Sequence, residues 1–514
     1  VGQQGFTTID FSILVVYLAA VLFAGLLFSK KDMEGKEFFK GDGSIPWYVT
    51  SVSIFATLLS PISFMTLAGN SYNGTWLLWF AQLGMIIAIP FAIKFFLPIY
   101  ARMDIDTAYD YLEQRFNSRV LRAIGAILFI IYQVGRMSII MYLPSAALAS
   151  LTGISVNILI IVMGVIAIIY SYTGGIKSVL WTDFIQGAVL LVGVTVALGF
   201  LVKDLDGGFQ PILDLLGQDK FISPSEPIFD ANLLNSSIFL LVVGAGFNTL
   251  SSYISSQDIV QRFTTTQDIK KLNKMMFTNG LLSIFIATVF YLIGTGLYAY
   301  YQIQNPSDPG AQIAQDQIFT YFIAYRLPVG ITGILLAAIY AASQSTLSTG
   351  LNSVATSWTL DIQDVISKDL DDAKRTQIAR WISLGVGVFS IVISIVLAHS
   401  NIQSAYQWFN GFMGLVLGVL GGVFMLGVFT KKANKAGAYA ALIVSSLVMI
   451  YIKYGVPADK VSIWVYSLIS IGVSLIVGYI VSLIVKDDSS RAPKFTTIYD
   501  IPEIKASNEW SVRK

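Results

Sequence analysis

The sequence contains no cysteine and a single histidine, His399. Disulfides and thiolate metal sites are thereby excluded. His399, in a short loop between apolar runs, has no neighbours that would make a metal or catalytic centre. Charge is scarce as well: Asp, Glu, Lys and Arg make up 12% of the chain, about half of the roughly 25% usual in soluble domains. Every Glu lies in a loop or in the tail, so a proton relay through buried carboxylates has little to work with. No G-x-x-x-x-G-K-[ST] is present, which argues against a nucleotide-driven pump or membrane enzyme. No TVGYG-like run is present either, which argues against a carbonyl-filter ion channel. The opening VGQQGFTTIDFS lacks the basic stretch of a cleaved leader, so the first apolar run is expected to be retained.

What fills the chain instead is apolar sequence, 55% of the residues, with a mean hydropathy of +0.69. Segments of about 20 apolar residues fall at 8–28, 47–69, 75–99, 120–149, 155–173, 179–202, 236–257, 275–301, 328–358, 377–398, 403–429, 436–453 and 461–485. Their number predicts an all-α polytopic membrane protein of about 13 transmembrane helices with its termini on opposite sides. Placing the N-terminus outside puts 27 of the 33 basic residues inside and five outside, with Arg136 within a span. That asymmetry sets the orientation and a cytoplasmic C-terminus. The acidic outer loop 203–235 is expected to form a small cap, 100–119 an interfacial or short cytoplasmic helix, and the Pro-interrupted tail 486–514 a cytoplasmic segment without fixed structure. Glycines 411, 414, 418, 421 and 422 are read as helix-packing positions.

Three features point to chemistry. The first is the span Ser51–Gly69, broken in its middle by Ser60-Pro61-Ile62-Ser63. Proline offers no N–H and crowds the preceding turn, so carbonyls from Ala56 to Leu59 are left free. At membrane depth such carbonyls are tolerated only where they are buried or line a cavity, the arrangement by which discontinuous helices hold ions and solutes. The stretch Gly244–Ser256 reads as a second interruption, opening a second set of five spans.

The second feature is the run 336–353, where Ala342, Ser345, Thr346 and Thr349 share one helical face with Ser348 beside them. Hydroxyls in membrane helices often bond back to the preceding turn, but their density here exceeds that need. Neutral oxygens so crowded suit a weakly held monovalent cation. The third is Arg136, about 24 Å into its span. A guanidinium at that depth needs a partner, and no acidic residue is an obvious mate, so the carboxylate of an anionic solute is expected there. Gln82 is a second polar contact in mid-span. Asp183 is read either as a helix N-cap or as an ion ligand.

The motifs FATLLSPISFM (55–65), YTGGIKSVLWTDFIQG (172–187), SQDIVQRF (256–263) and AAIYAASQSTLSTGLNS (337–353) resemble the sodium:solute symporter family over about 8–490. Within it, QVGRMSI (133–139) together with Gln82 is most similar to the bacterial sodium/sialic acid symporters. The resemblance implies a leucine-transporter-type core of five-plus-five inverted repeats, with one extra N-terminal and two extra C-terminal helices. The units would be 1–46, 47–202 and 236–429 as the two repeats around the loop 203–235, 430–485, and the tail. It further implies that Na+ is co-transported and that the organic anion is sialic acid. A first sodium would use the carbonyls of Ala56, Leu59 and Ala342 and the hydroxyls of Ser345 and Thr346. A second would use Asp183, Ser345, Ser348 and Thr349. The acid's carboxylate would meet Arg136, with Ser60, Ser63 and Gln82 around the sugar. Leu58, Pro61 and Ser63 depart from the branch's pattern, which touches the sugar contacts rather than the ions. The alternatives are another small solute (a neutral sugar, proline or another carboxylate) and, in a different class, an ion channel.

Overall fold

The computed structural model describes residues 6–28, 35–41, 43–59, 61–230, 232, 237–265, 268–315, 317–363, 366–367, 370–400, 405–457, 460–486 and 492–506. Among these residues there is no strand. Ten helices are long and apolar enough to cross a bilayer, and three shorter apolar helices accompany them. With the shorter helices between them, the elements of the bundle are α1 (Thr8–Phe28), the half-helices α2 (Trp47–Leu58) and α3 (Pro61–Asn73), α4 (Leu77–Met103), α5 (Arg119–Thr152) and α6 (Val156–Asp204). Then follow α7 (Ile238–Ser255), the short α8 (Gln257–Phe263), α9 (Ile269–Tyr298), α10 (Ile331–Ser357), α11 (Asp372–Ala398), α12 (Ala405–Phe429), α13 (Lys435–Gly455) and α14 (Tyr466–Ile484). α6 holds two spans joined at Gly175, whose φ of 55° and ψ of −161° break the helix without a loop. A side chain there would meet the Phe38 carbonyl at 2.7 Å, so only glycine fits the joint.

The burial pattern separates centre from rim. The most apolar stretch of α10 is 89% buried, that of α1 only 22%. The polar α10 is therefore the axis of the bundle, and α1 turns residues such as Val16 and Phe23 outward, as lipid requires. α10 packs chiefly on α6 and also on α5, α11 and the broken pair α2–α3. α1 is fastened to the axis by Asp10, whose carboxylate accepts from the amides of Gly330 (2.8 Å) and Gly333 (2.9 Å) at the start of α10. α12 and α14 approach closely: a side chain at Gly418 or Gly422 would collide with Ser470 or Ser474.

Three expectations need correction. The second interruption, expected over Gly244–Ser256, is confined to the last residue of that stretch; Gly244–Asn248 lie inside the continuous α7. That last residue, Ser256, has an extended backbone (φ −90°, ψ 116°) that separates α7 from α8. Gly244 and Gly246 serve packing instead, against the Trp464 carbonyl and Gly84. The segment 100–119 is more than interfacial, since Tyr109, Tyr111, Leu112, Arg115 and Phe116 are fully buried. Arg115 donates to the carbonyls of Gly427 (2.9 Å), Thr430 (2.6 Å) and Ala433 (3.1 Å), tying this helix to the end of α12. The tail is structured over 492–506. Thr496 accepts from the Tyr111 hydroxyl (3.0 Å), Phe495 lies under Arg102, and Ile504 is buried. The loop after α6 packs over the end of α3. The Trp76 amide donates to the Lys220 carbonyl (3.1 Å), and the Phe221 ring packs at a tilt against Trp76 and Phe80.

Candidate functional site

The break between α2 and α3 leaves Leu59 with extended backbone (φ −82°, ψ 99°), and the chain resumes helix at Pro61, whose fixed φ suits a first turn. Ser60 lies outside the described residues. Beside the break is a cavity of about 170 Å³. Leu58, Leu59 and Ser63 come to it from the broken pair, Gln82 from α4, Arg136 from α5 and Asn248 and Ser252 from α7, and Trp464 also lines it. Trp464 and Gln82 lie toward the membrane face that carries the loops 205–237 and 299–330. Toward the opposite face the helices are tied together by hydrogen bonds. There Tyr109 donates to the Ser255 carbonyl (2.9 Å), Ala108 to Gln257 (2.7 Å), and Asp361 binds Arg122 (2.6 Å) and Thr107.

Arg136 is buried at the cavity wall and is not without a mate. Its Nη1 donates to Asp258 Oδ2 at 2.5 Å and its Nη2 to the Thr57 carbonyl at 2.5 Å, one of the carbonyls near the break. In sequence Asp258 directly follows the apolar span 236–257. The turn at Ser256 brings it back inward on α8, where Ser256 also bonds its Oδ1.

Asp183 is not a helix cap. It lies in the interior of α6, eight residues past the Gly175 joint, and faces α2, α8 and α10. Ser345 donates to its Oδ1 (2.7 Å); Ser53 (2.5 Å), Thr349 (3.2 Å) and Arg262 (2.8 Å) donate to its Oδ2. Of the hydroxyl stripe, only Ser345 and Thr349 turn to Asp183. Thr346 bonds back to the Ala342 carbonyl (3.0 Å) and Ser348 to that of Ser345 (3.0 Å), so back-bonding takes a larger share than the density suggested. Each keeps lone pairs for a cation. Ala56, Leu59 and Ala342 are buried, and α10 packs against both half-helices. Thr57 Oγ1 and Thr349 Oγ1 approach to 3.4 Å across that contact.

Sequence reasoning missed the roles of Asp258 and Arg262. Arg262 lies beyond the apolar span 236–257 in sequence, yet it is fully buried on α8. The available signal was their spacing of four in SQDIVQRF, which places opposite charges on one helical face.

The family model for the sodium:solute symporter family matches residues 38–445. The chain belongs to the sodium:solute symporter family. Among members of that family it is 32% identical to the sodium/sialic acid symporter NanT of Aliivibrio fischeri, over 98% of both chains. It is 35% identical to the sodium/sialic acid symporter SiaT of Proteus mirabilis, over 88% of this chain and 90% of that one. A Na+-coupled sialic acid symporter solved in a substrate-bound outward-open state superposes with a TM-score of 0.87 at 33% identity, over 95% and 99% of the two chains. The hydantoin-bound transporter Mhp1 shares the fold, with a TM-score of 0.57 at 14% identity. This symporter is thus an all-helical membrane protein of the leucine-transporter type.

Proposed function

We propose that this chain is a sodium-driven symporter, not an enzyme, that imports sialic acid (N-acetylneuraminate) across a bacterial cytoplasmic membrane by alternating access. The observation that carries the reading is the buried Arg136 guanidinium on the wall of a 170 Å³ cavity that also presents Ser63 and Gln82. The basic residues favour an outer N-terminus, so the cavity would lie toward the outside. The units of five helices around loop 203–235 would be the inverted repeats. One sodium would be held by the carbonyls of Ala56, Leu59 and Ala342 with the hydroxyls of Ser345 and Thr346, bracing the broken helix against α10. A second would lie at Asp183, Ser345, Ser348 and Thr349. The sugar would be met by Ser60, Ser63 and Gln82.

The Asp258 pair changes what Arg136 contributes. An incoming carboxylate gains only the difference between itself and Asp258, so removing the fork should cost near the lower end of the usual range for a buried charged pair, about 2 kcal/mol, or roughly 30-fold in affinity. Thermal unfolding of purified protein with sialic acid, in sodium and then in potassium, tests this. Sialic acid should stabilise wild type only in sodium. Arg136→Gln should still respond to sodium but bind the acid about 30-fold more weakly. The same pair gives a second reading its footing: with Asp258 cancelling the charge of Arg136, a neutral solute would also fit. If the amide analogue of sialic acid binds wild type as tightly as the acid, the neutral reading stands and the anionic one falls.

A further inference from the structure

Among the described residues, Arg262 is the one fully buried cation near the hydroxyl stripe that the reading above leaves without a task. Its Nη2 lies 2.8 Å from Asp183 Oδ2 and 2.6 Å from Thr349 Oγ1. Its Nε donates to Ser53 Oγ at 2.9 Å, and that hydroxyl donates in turn to Asp183 at 2.5 Å. Nη1 donates to the carbonyl of Asp258. Two of the four residues assigned above to the second sodium therefore already hold a positive nitrogen, and a third, Ser345, bonds the same carboxylate.

We propose that Arg262 is a tethered cation that fills the place beside Asp183 whenever a sodium ion does not. The proposal rests on the reading of Asp183 as a sodium ligand. A guanidinium and a sodium ion cannot share one buried carboxylate at contact distance, because like charges repel strongly where water cannot screen them. A bare Asp183 is equally unfavourable, since an uncompensated buried charge destabilises the fold. Arg262 removes that cost in the empty protein without closing the site permanently, because it sits on a helix of seven residues bounded by the Ser256 break. Sodium entry then requires the guanidinium to withdraw. Its other grip is on the carbonyl of Asp258, whose carboxylate holds Arg136. Withdrawal thus pulls on the turn that pairs Asp258 with Arg136, linking the ion site to the wall of the solute cavity.

The test uses the full-length protein in lipid nanodiscs, with thermal unfolding and equilibrium sodium titration as readouts. In Arg262→Gln the competitor is gone. The half-saturating sodium concentration should fall about 5- to 150-fold, the range of an ordinary coupling free energy. The gap between unfolding midpoints in sodium and in potassium should widen, since sodium becomes the only counter-charge for Asp183. A merely structural ion pair predicts a lower midpoint in both salts, with an unchanged gap and unchanged half-saturation; that result overturns the proposal. In an Asp183→Asn background, Arg262→Gln should no longer move sodium half-saturation, and a shift there overturns it too. If Asp183→Asn alone keeps the full wild-type sodium response, the ion-site reading itself falls. If Asp183→Asn loses part of that response but Arg262→Gln leaves half-saturation unmoved, only the tethered cation falls. Should Arg262→Gln not fold, Arg262→Lys replaces it. Its ammonium cannot reach Asp183, Thr349 and Ser53 together and competes less, so half-saturation should still fall; equal or higher values reject the proposal.

Discussion

At Lys220, in the loop after α6, burial and bonding oppose each other. Burial lowers its pKa from 10.5 to about 8, while its Nζ donates to the Tyr72 carbonyl at 2.8 Å and sits 3.9 Å above the Tyr298 ring. A lysine whose folded pKa is depressed loses its proton in the folded protein before the unfolded chain does. Between pH about 8 and about 10.5 the unfolded state binds the extra proton, so stability should rise with pH across that window. Below it both states are protonated and the penalty is constant. Lys220→Met should abolish the rise, which thermal unfolding across the window will show against wild type. The same contrast between local and assembled chemistry governs what single residues disclosed. Pro61 announced its break from the sequence because the missing N–H is a property of proline itself. Arg136 announced only that it needed a partner. Which carboxylate supplies it depends on the fold of α8, and that no residue type encodes.

At the scale of elements, apolar length made the helices readable and left their joints unread. Gly175 joins two spans that the sequence separated by a short gap, and Ser256 breaks a helix with no proline or glycine to mark it. The glycines of 244–248 drew the second break to themselves because glycine weakens helices in water. Inside the bundle they are where one helix touches another. Gly294 of α9 shows how tight such contacts are. A side chain there would come within 2.1 Å of the Ala68 carbonyl and 2.7 Å of Ser71 Cβ on α3. Ser71 donates across the same contact to the Tyr291 carbonyl at 2.8 Å. Gly294→Ala must push α9 away from the half-helix after the break and should cost about 1–3 kcal/mol. Gly472→Ala, where a side chain meets nothing within 4 Å, should be neutral or slightly stabilising. Equal unfolding midpoints for the two variants would show that α3 and α9 do not form the tight unit described.

For the whole molecule, the two buried pairs Arg136–Asp258 and Arg262–Asp183 have an electrical consequence. Their four charges sum to zero. An empty carrier that reorients with both pairs intact carries no net charge through the membrane field, so its return step is insensitive to voltage. Two sodium ions and one carboxylate would bring a single positive charge, worth about 2.3 kcal/mol per 100 mV, and the voltage dependence would then reside in the loaded half of the cycle. Proteoliposomes with a potassium diffusion potential make this measurable. Wild-type uptake at limiting sodium should accelerate with inside-negative potential, and with sodium and sialic acid saturating outside the acceleration should fade as the return step takes over. Arg262→Gln leaves a net negative core on the empty carrier, so its saturated rate should stay voltage-dependent, inside-negative potential now driving the outward return of the negatively charged site. A membrane potential would then drive the native carrier without hindering its reset, because the protein keeps its own charges in balance and lets only the cargo feel the field.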